Sequence, residues 1–319
     1  MNVTRKGFLC SLAAASFLGR AHRAMGASNR GVVKTDGKKP LVTVKKGLGG
    51  GKVLCFSNRA QSQMASAVFV TPSGRVAVVD GGFYADGENL FTVLKSLGGK
   101  VDYWFITHVH EDHYGALAAM LEKRSDPGEI RVGKLLFSFP GQAWTDKVEP
   151  ASKPHTRRFA AALAKSTPRI SVGRLARGQV YDLGDGWTFE VLNDCNTDLK
   201  MPNINDTSIC LSVKAGGRTW LVTGDIAVQT GEKLVRELGA KLEHEIVFMS
   251  HHGQQGADKR FYAAVKPKVA IWHTPDWLWE NDVGQGPGSG PFKTNYTKCW
   301  MQELGVKEHH VLTKDVMFD

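Results

Sequence analysis

Residues 107–115 read THVHEDHYG, which gathers His108, His110, Asp112 and His113 within six positions. Imidazole and carboxylate together suit borderline divalent cations, with zinc favoured and manganese or iron as alternatives. The chain has 11 histidines in 319 residues, and chance places a His-x-His-x-Asp-His pattern in such a chain on the order of once in a thousand times. Scattered surface histidines are therefore a poor explanation. A helical zinc motif sets its histidines at i and i+4; this spacing instead calls for a loop whose side chains converge on one point.

Such a loop needs rigid elements on either side. VDYWFIT (101–107) is short, aromatic and β-branched, which predicts a strand running directly into the motif, and Gly115 to Leu121 predicts a helix leaving it. KVLCF (52–56), SAVFV (66–70) and RVAVV (75–79) predict earlier strands, and Leu90, Val93, Leu94 and Leu97 predict a helix stopped at Gly98. The second half repeats the alternation: WTFEVL (187–192), SICLSV (208–213), RTWLVT (218–223) and EIVFMS (245–250) as strands, GEKLVRELG (231–239) and DKRFYAAV (258–265) as helices. Two strand-rich halves with interspersed helices favour two packed sheets covered by helices over one parallel sheet. The stretch from Arg124 to Gly178 reads as irregular and basic, apart from a helix at 154–166. NDVGQGPGSGP (281–291) reads as a long loop, followed by a helix at 296–305 and a strand near 309–313.

Composition narrows the function classes. With 42% hydrophobic and 23% charged residues, the chain has the profile of a globular protein with a sizeable core. No apolar run reaches the roughly 18 residues of a membrane span. Residues 1–27 combine a basic start, a short apolar stretch and small residues at Ala24, Gly26 and Ala27, the pattern of an export signal; TRKGFL resembles a twin-arginine signal with Lys6 in the second arginine's place. Its removal would take four basic residues and no acids, lowering the formal charge from +10 to +6. That balance is compatible with anionic substrates, nucleic acid among them, but there is no basic stripe with interleaved aromatics. Cys55, Cys195, Cys210 and Cys299 are scattered without a metal-type spacing, so three pairings or free thiols are open. Residues 28–51 read as a linker or an added edge strand, and 52–319 as the functional domain.

THVHEDHYG resembles the signature of the metallo-β-lactamase fold superfamily, and VVDGG (78–82), LVTGD (221–225) and SHHG (250–253) follow in that family's order at expected strand ends. The resemblance implies a four-layer αββα sandwich of two mixed sheets flanked by helices. It implies two divalent cations: His108 and His110 on one, Asp112 and His113 on the other, Asp225 bridging, and His251 rather than His252 completing the second. Asp80 would orient a ligand histidine. One histidine of the β-lactamase and glyoxalase branches is missing before Asp225. In its place NINDTSICLSV (203–213) is similar to the branch related to the hydrolase domain of a DNA-uptake protein, with Asn205 and Ser208 in matching places.

The expected activity is therefore metal-dependent hydrolysis by a metal-bound hydroxide, on a phosphodiester-like or other anionic substrate. Asp112 and Asp225 would orient the hydroxide, and His252 or His273 would assist the leaving group. Two rivals remain: a lactam, lactone or other amide and ester hydrolase, and a non-catalytic exported metal-binding scaffold. An exported enzyme would work in the periplasm or outside the cell. Trp272, Trp277 and Trp279 either line a cleft or cover the core. His22, His155, His244 and the pair His309–His310 are assigned to surface or structure.

Overall fold

The structure, a computed structural model, describes residues 33–60, 62–123, 130–166, 170–254 and 256–319; the expected export signal and His22 lie outside them. The first half contains β1 (Leu41–Val44), β2 (Lys52–Cys55), β3 (Ser66–Val70), β4 (Val76–Asp80), α1 (Gly87–Ser96), β5 (Lys100–Phe105) and α2 (Glu111–Lys123). Next come β6 (Arg131–Phe137), α3 (Gln142–Val148), α4 (Lys153–Ser166), β7 (Ser171–Arg174), β8 (Val180–Gly184), β9 (Trp187–Val191), β10 (Leu211–Ala215) and β11 (Arg218–Val222). The chain closes with α5 (Val228–Leu238), β12 (Ile246–Phe248), α6 (Lys259–Val265), β13 (Val269–Trp272), α7 (Asp276–Trp279), α8 (Thr294–Glu303), β14 (Glu308–Val311) and β15 (Asp315–Phe318).

One sheet has the order β1-β15-β2-β3-β4-β5-β6-β7 and the other β14-β13-β12-β11-β10-β9-β8. Both are mixed: β2 to β4 and β8 to β11 pair antiparallel, whereas β4 to β7 and β11 to β14 pair parallel. Strand alternation sorts the core into layers. In β3, Val68 and Val70 face the helix-side cluster with Leu94 and Leu117, while Ala67 and Phe69 face the cluster between the sheets with Phe189, Trp220 and Phe318. A third cluster joins the second sheet to Phe261, Val265 and Met301 on its helices. Strands buried on both faces explain the nearly continuous apolar runs, and three apolar layers between four structural ones make this an αββα sandwich.

Between Arg124 and Gly178 the expected helix is present as α4, and the rest of the segment, read as irregular, supplies two strands, β6 and β7, and a further helix, α3. In β6, Gly133 is required because a Cβ there would lie 2.9 Å from the Asp102 carbonyl of β5. A glycine inside a strand weakens its apolar signal in sequence. Cys55, Cys195 and Cys210 are free thiols.

Before β2 the chain is fastened by charge. Arg59, with its side chain 3% exposed, contacts Asp36 at 3.1 Å and the fully buried Asp315 at 2.7 Å. Ser57 N–H also donates to Asp315, at 3.0 Å. β1 meanwhile pairs parallel with β15 at the sheet edge. Arg59→Ala leaves two carboxylates without their cation and is expected to cost about 3–5 kcal/mol in urea unfolding, with an unchanged m-value; a loss under about 1 kcal/mol would refute the clamp.

Candidate metal centre

The site lies where strands of both sheets end. β4 ends at Asp80, whose φ of 56° turns the chain sharply. Its carboxylate accepts from Thr107 N–H at 2.8 Å and meets His113 Nδ1 at 2.9 Å. β5 leads to His108, fully buried, with Nε2 3.0 Å from His110 Nδ1. Asp112 and His113 occupy the first turn of α2. From the other sheet, β11 ends in the turn carrying Asp225, whose N–H donates to Ser208 Oγ at 3.0 Å. Gly224 makes that approach possible: its φ is +53°, and a Cβ would stand 2.9 Å from Ser208 Cβ and 3.0 Å from Thr107 Cβ.

Two groups of ligand-type atoms result, each held within 4.8 Å: Asp112, His113, Asp225 and His252 in one, His108, His110 and Asp225 in the other. Asp225 belongs to both. His113 Nε2 is 3.2 Å from Asp225 Oδ1, and His252 Nε2 is 3.0 Å from Asp112 Oδ2 and 3.4 Å from Asp225 Oδ2. Despite this closeness, both nitrogens are buried and neither makes a directed hydrogen bond. Their unsatisfied polar capacity points into the space among the carboxylates. That donor set fits a divalent cation in each group.

The cluster's electrostatics are dominated by burial and by mutual charge. Burial opposes charge on His113, but Asp225, Asp80 and Asp112 outweigh it and hold its pKa well above the usual value. His252 behaves likewise: burial is overcome by Asp225 and Asp112, and its pKa rises from 6.5 to about 9. His108 is kept neutral by burial and by the His113 charge. Asp225 is held well below the normal carboxylate range against its burial, chiefly by His113 and His252.

The two groups bring together His108, His110, Asp112, His113 and Asp225 with His252, and Asp80 stands behind His113. His252, expected to assist the leaving group, lies in the cluster where His251 was expected. Both adopt left-handed φ, 49° and 55°, so consecutive side chains diverge. His252 Nδ1 meets the carbonyl of His273 at 3.1 Å, which turns Nε2 inward. His251 Nε2 lies instead 3.4 Å from Asn205 Nδ2, with Nδ1 buried and unpaired.

His273 does not face the cluster as an acid. Its Nε2 meets Ser66 O at 3.0 Å, its ring stacks on Phe248, and burial pushes its pKa down to about 3. Trp272 is fully buried and packs edge-on against Trp279, which makes both core-facing; Trp277 packs on Phe292. His155 pairs with Glu111 on the surface, His244 bonds Leu242 O and Ser212, and His310 pairs with Glu308. One participant was missed in sequence: Glu149, after α3, sits 3.1 Å from His110 Nε2. No spacing rule links it to the motif.

Similarity to known proteins agrees with this geometry. The chain is 25% identical over 188 residues to ComE operon protein 3 of Bacillus subtilis (strain 168), covering 58% of this chain and 22% of that one. It is 35% identical over 88 residues to competence protein ComA of Neisseria gonorrhoeae, covering 27% and 12% respectively. The matches thus span under a quarter of either relative's length, and they support the likeness to the DNA-uptake branch. The fold is shared with the metallo-beta-lactamase fold protein YhfI from Bacillus subtilis, at TM-score 0.54 and 13% identity, covering 84% of this chain and 99% of that one. CmlA from Streptomyces venezuelae, a diiron beta-hydroxylase, matches at TM-score 0.50 and 14% identity over 84% of this chain and 53% of its own. Residues 63–274 match the Metallo-beta-lactamase superfamily, and with the strand-end histidines and carboxylates arranged as described, the chain belongs to that superfamily.

Proposed function

We propose that this protein is a two-cation hydrolase acting on phosphodiester-like or other anionic substrates, nucleic acid among those to be tested. The observation that carries the reading is Asp225: one carboxylate, 3% exposed, shared by two groups of converging ligand-type atoms. In this reading His108, His110 and Asp225 hold one cation, and Asp112, His113, Asp225 and His252 hold the other. Bound cations would supply Lewis acidity and water activation near neutral pH. The protein's own part is to fix the donors: Asp80 accepts from His113, the His273 carbonyl accepts from His252, and Ser208 anchors the Asp225 backbone. Asp112 and Asp225 are also the only carboxylates of the two groups, which supports reading them as the residues that orient attacking water.

Anionic substrates are favoured over lactams for two reasons. The lactamase histidine before Asp225 is replaced by the Asn205–Ser208 segment, and the sequence relatives named above are competence proteins. The reading also places the mature domain outside the cytoplasm, on the strength of residues 1–27 alone. Zinc is the favoured metal from the imidazole-rich donor set, with manganese and iron to be distinguished by measurement.

The test is metal content by plasma mass spectrometry on protein purified without added metal, together with turnover of bis-p-nitrophenyl phosphate, a chromogenic cephalosporin and a lactone. Near two equivalents with phosphodiester turnover supports the proposal. Turnover of only the lactam or lactone moves the protein to amide and ester chemistry. Absence of metal after zinc, manganese and iron reconstitution leaves a scaffold.

Swapping the neighbouring histidines tests the ligand assignment. His252→Ala is expected to weaken one of the two cation sites by on the order of 100-fold or more, while His251→Ala retains both. Chelator competition reads the difference, and the reverse pattern would restore His251 to the ligand set.

A further inference from the structure

The ring of His110 has two nitrogens, and the fold gives each a different neighbour. Nδ1 faces His108 Nε2 at 3.0 Å. Nε2 faces Glu149, 3.1 Å from Oε1 and 3.3 Å from Oε2. We propose that Glu149 is a positioning residue for the cation site of His108, His110 and Asp225: it accepts the Nε2–H of His110, fixes that tautomer, and leaves Nδ1 as the donor atom. This rests on the two-cation reading above.

Glu149 is itself built into place. Its N–H donates to Thr145 O at 2.9 Å at the end of α3, and Ser152 Oγ donates to its Oε1. Its carboxylate is not a ligand in this arrangement, because it meets the opposite edge of the imidazole from His108 and stands outside both close groups. The other cluster histidines have acceptors behind them too. His113 has Asp80, His252 has the His273 carbonyl, and His108 Nδ1 lies 3.3 Å from Thr107 Oγ1. All of those come from the strand ends common to the two sheets or the loops just beyond them. Glu149 comes from the α3–α4 connection, with its side chain 38% exposed. A carboxylate accepting from the far nitrogen both orients an imidazole and raises its basicity, and losing such a partner typically costs 10- to 100-fold in metal affinity.

The experiment titrates zinc into the full chain against a chromophoric chelator, for wild type, Glu149→Ala and Glu149→Gln, with cobalt(II) absorption as a second readout. Wild type is expected to show two sites. Glu149→Ala should weaken one of them about 10- to 100-fold, leave the other unchanged, and alter the cobalt spectrum of the weakened site alone. Glu149→Gln, whose amide oxygen still accepts from Nε2–H, should recover part of the loss. Metal-free melting should be the same for all three, since a merely structural role would move it. Glu149→Ala with both affinities unchanged, or with both lost alike, overturns the assignment. A wild type without zinc overturns the two-cation reading and this inference with it.

Discussion

Asp225→Ala is expected to remove measurable hydrolysis, lowering kcat/KM by about 10^3-fold or more, and to leave the protein unable to hold either cation tightly. The size follows from position. Its Oδ1 is 3.2 Å from His113 Nε2, and its Oδ2 is 3.4 Å from His252 Nε2 and 3.9 Å from His108 Nε2. A single truncation therefore takes a donor from both groups, whereas Asp112→Ala takes a donor from one. The two variants should separate in metal stoichiometry: at most a trace of tightly bound metal for Asp225→Ala, one retained equivalent for Asp112→Ala. Far-ultraviolet circular dichroism should match wild type in both, since the Asp225 backbone keeps its bond to Ser208. Asp225→Ala protein that retains two equivalents and turns over substrate would remove Asp225 from the centre and the proposed function with it.

The parts of this centre that sequence made legible are those packed into one stretch or placed at a strand end. His108, His110, Asp112 and His113 share a single loop, and Asp80 and Asp225 each follow an apolar strand that could be read from β-branched content. The αββα architecture was legible for the same reason, because strands buried on both faces give unbroken apolar runs. Three features were not. The choice between His251 and His252 depends on left-handed backbone at both, which no side-chain pattern encodes. Glu149 reaches His110 across 39 positions. β6 contains Gly133, whose missing side chain admits the neighbouring carbonyl, and β7 is four residues long and mostly exposed, so neither shows the expected apolar signal.

The metal-free protein is expected to lose stability as pH rises from about 6.5 to 9, and the metal-loaded protein is not. The sign follows from which form each fold-state prefers. His252 rises from 6.5 to about 9 against its own burial, because Asp225 and Asp112 hold its charge, and His113 is raised as well, chiefly by Asp225 and Asp80. Such groups contribute stability that is complete below the unfolded value and is lost as pH climbs through the folded one. For His252 alone the rise corresponds to on the order of 3 kcal/mol. His108, lowered by burial and His113, and His273, lowered to about 3 by burial, act oppositely: their contributions are present above 6.5 and fade as pH falls. Metal-free stability should therefore peak near the histidine midpoint and decline on both sides. A cation would take the His113 and His252 nitrogens that the protons occupy, so binding at pH 7 should release about two protons and tighten as pH approaches 9. Urea unfolding from pH 5 to 10, with chelator and with zinc, reads the first effect. Calorimetric binding in buffers of different ionisation enthalpy reads the second. Metal-free stability that stays flat or increases between pH 7 and 9 would mean that these imidazoles are not held as cations by Asp225 and Asp112, and would undo the electrostatic account of the cluster.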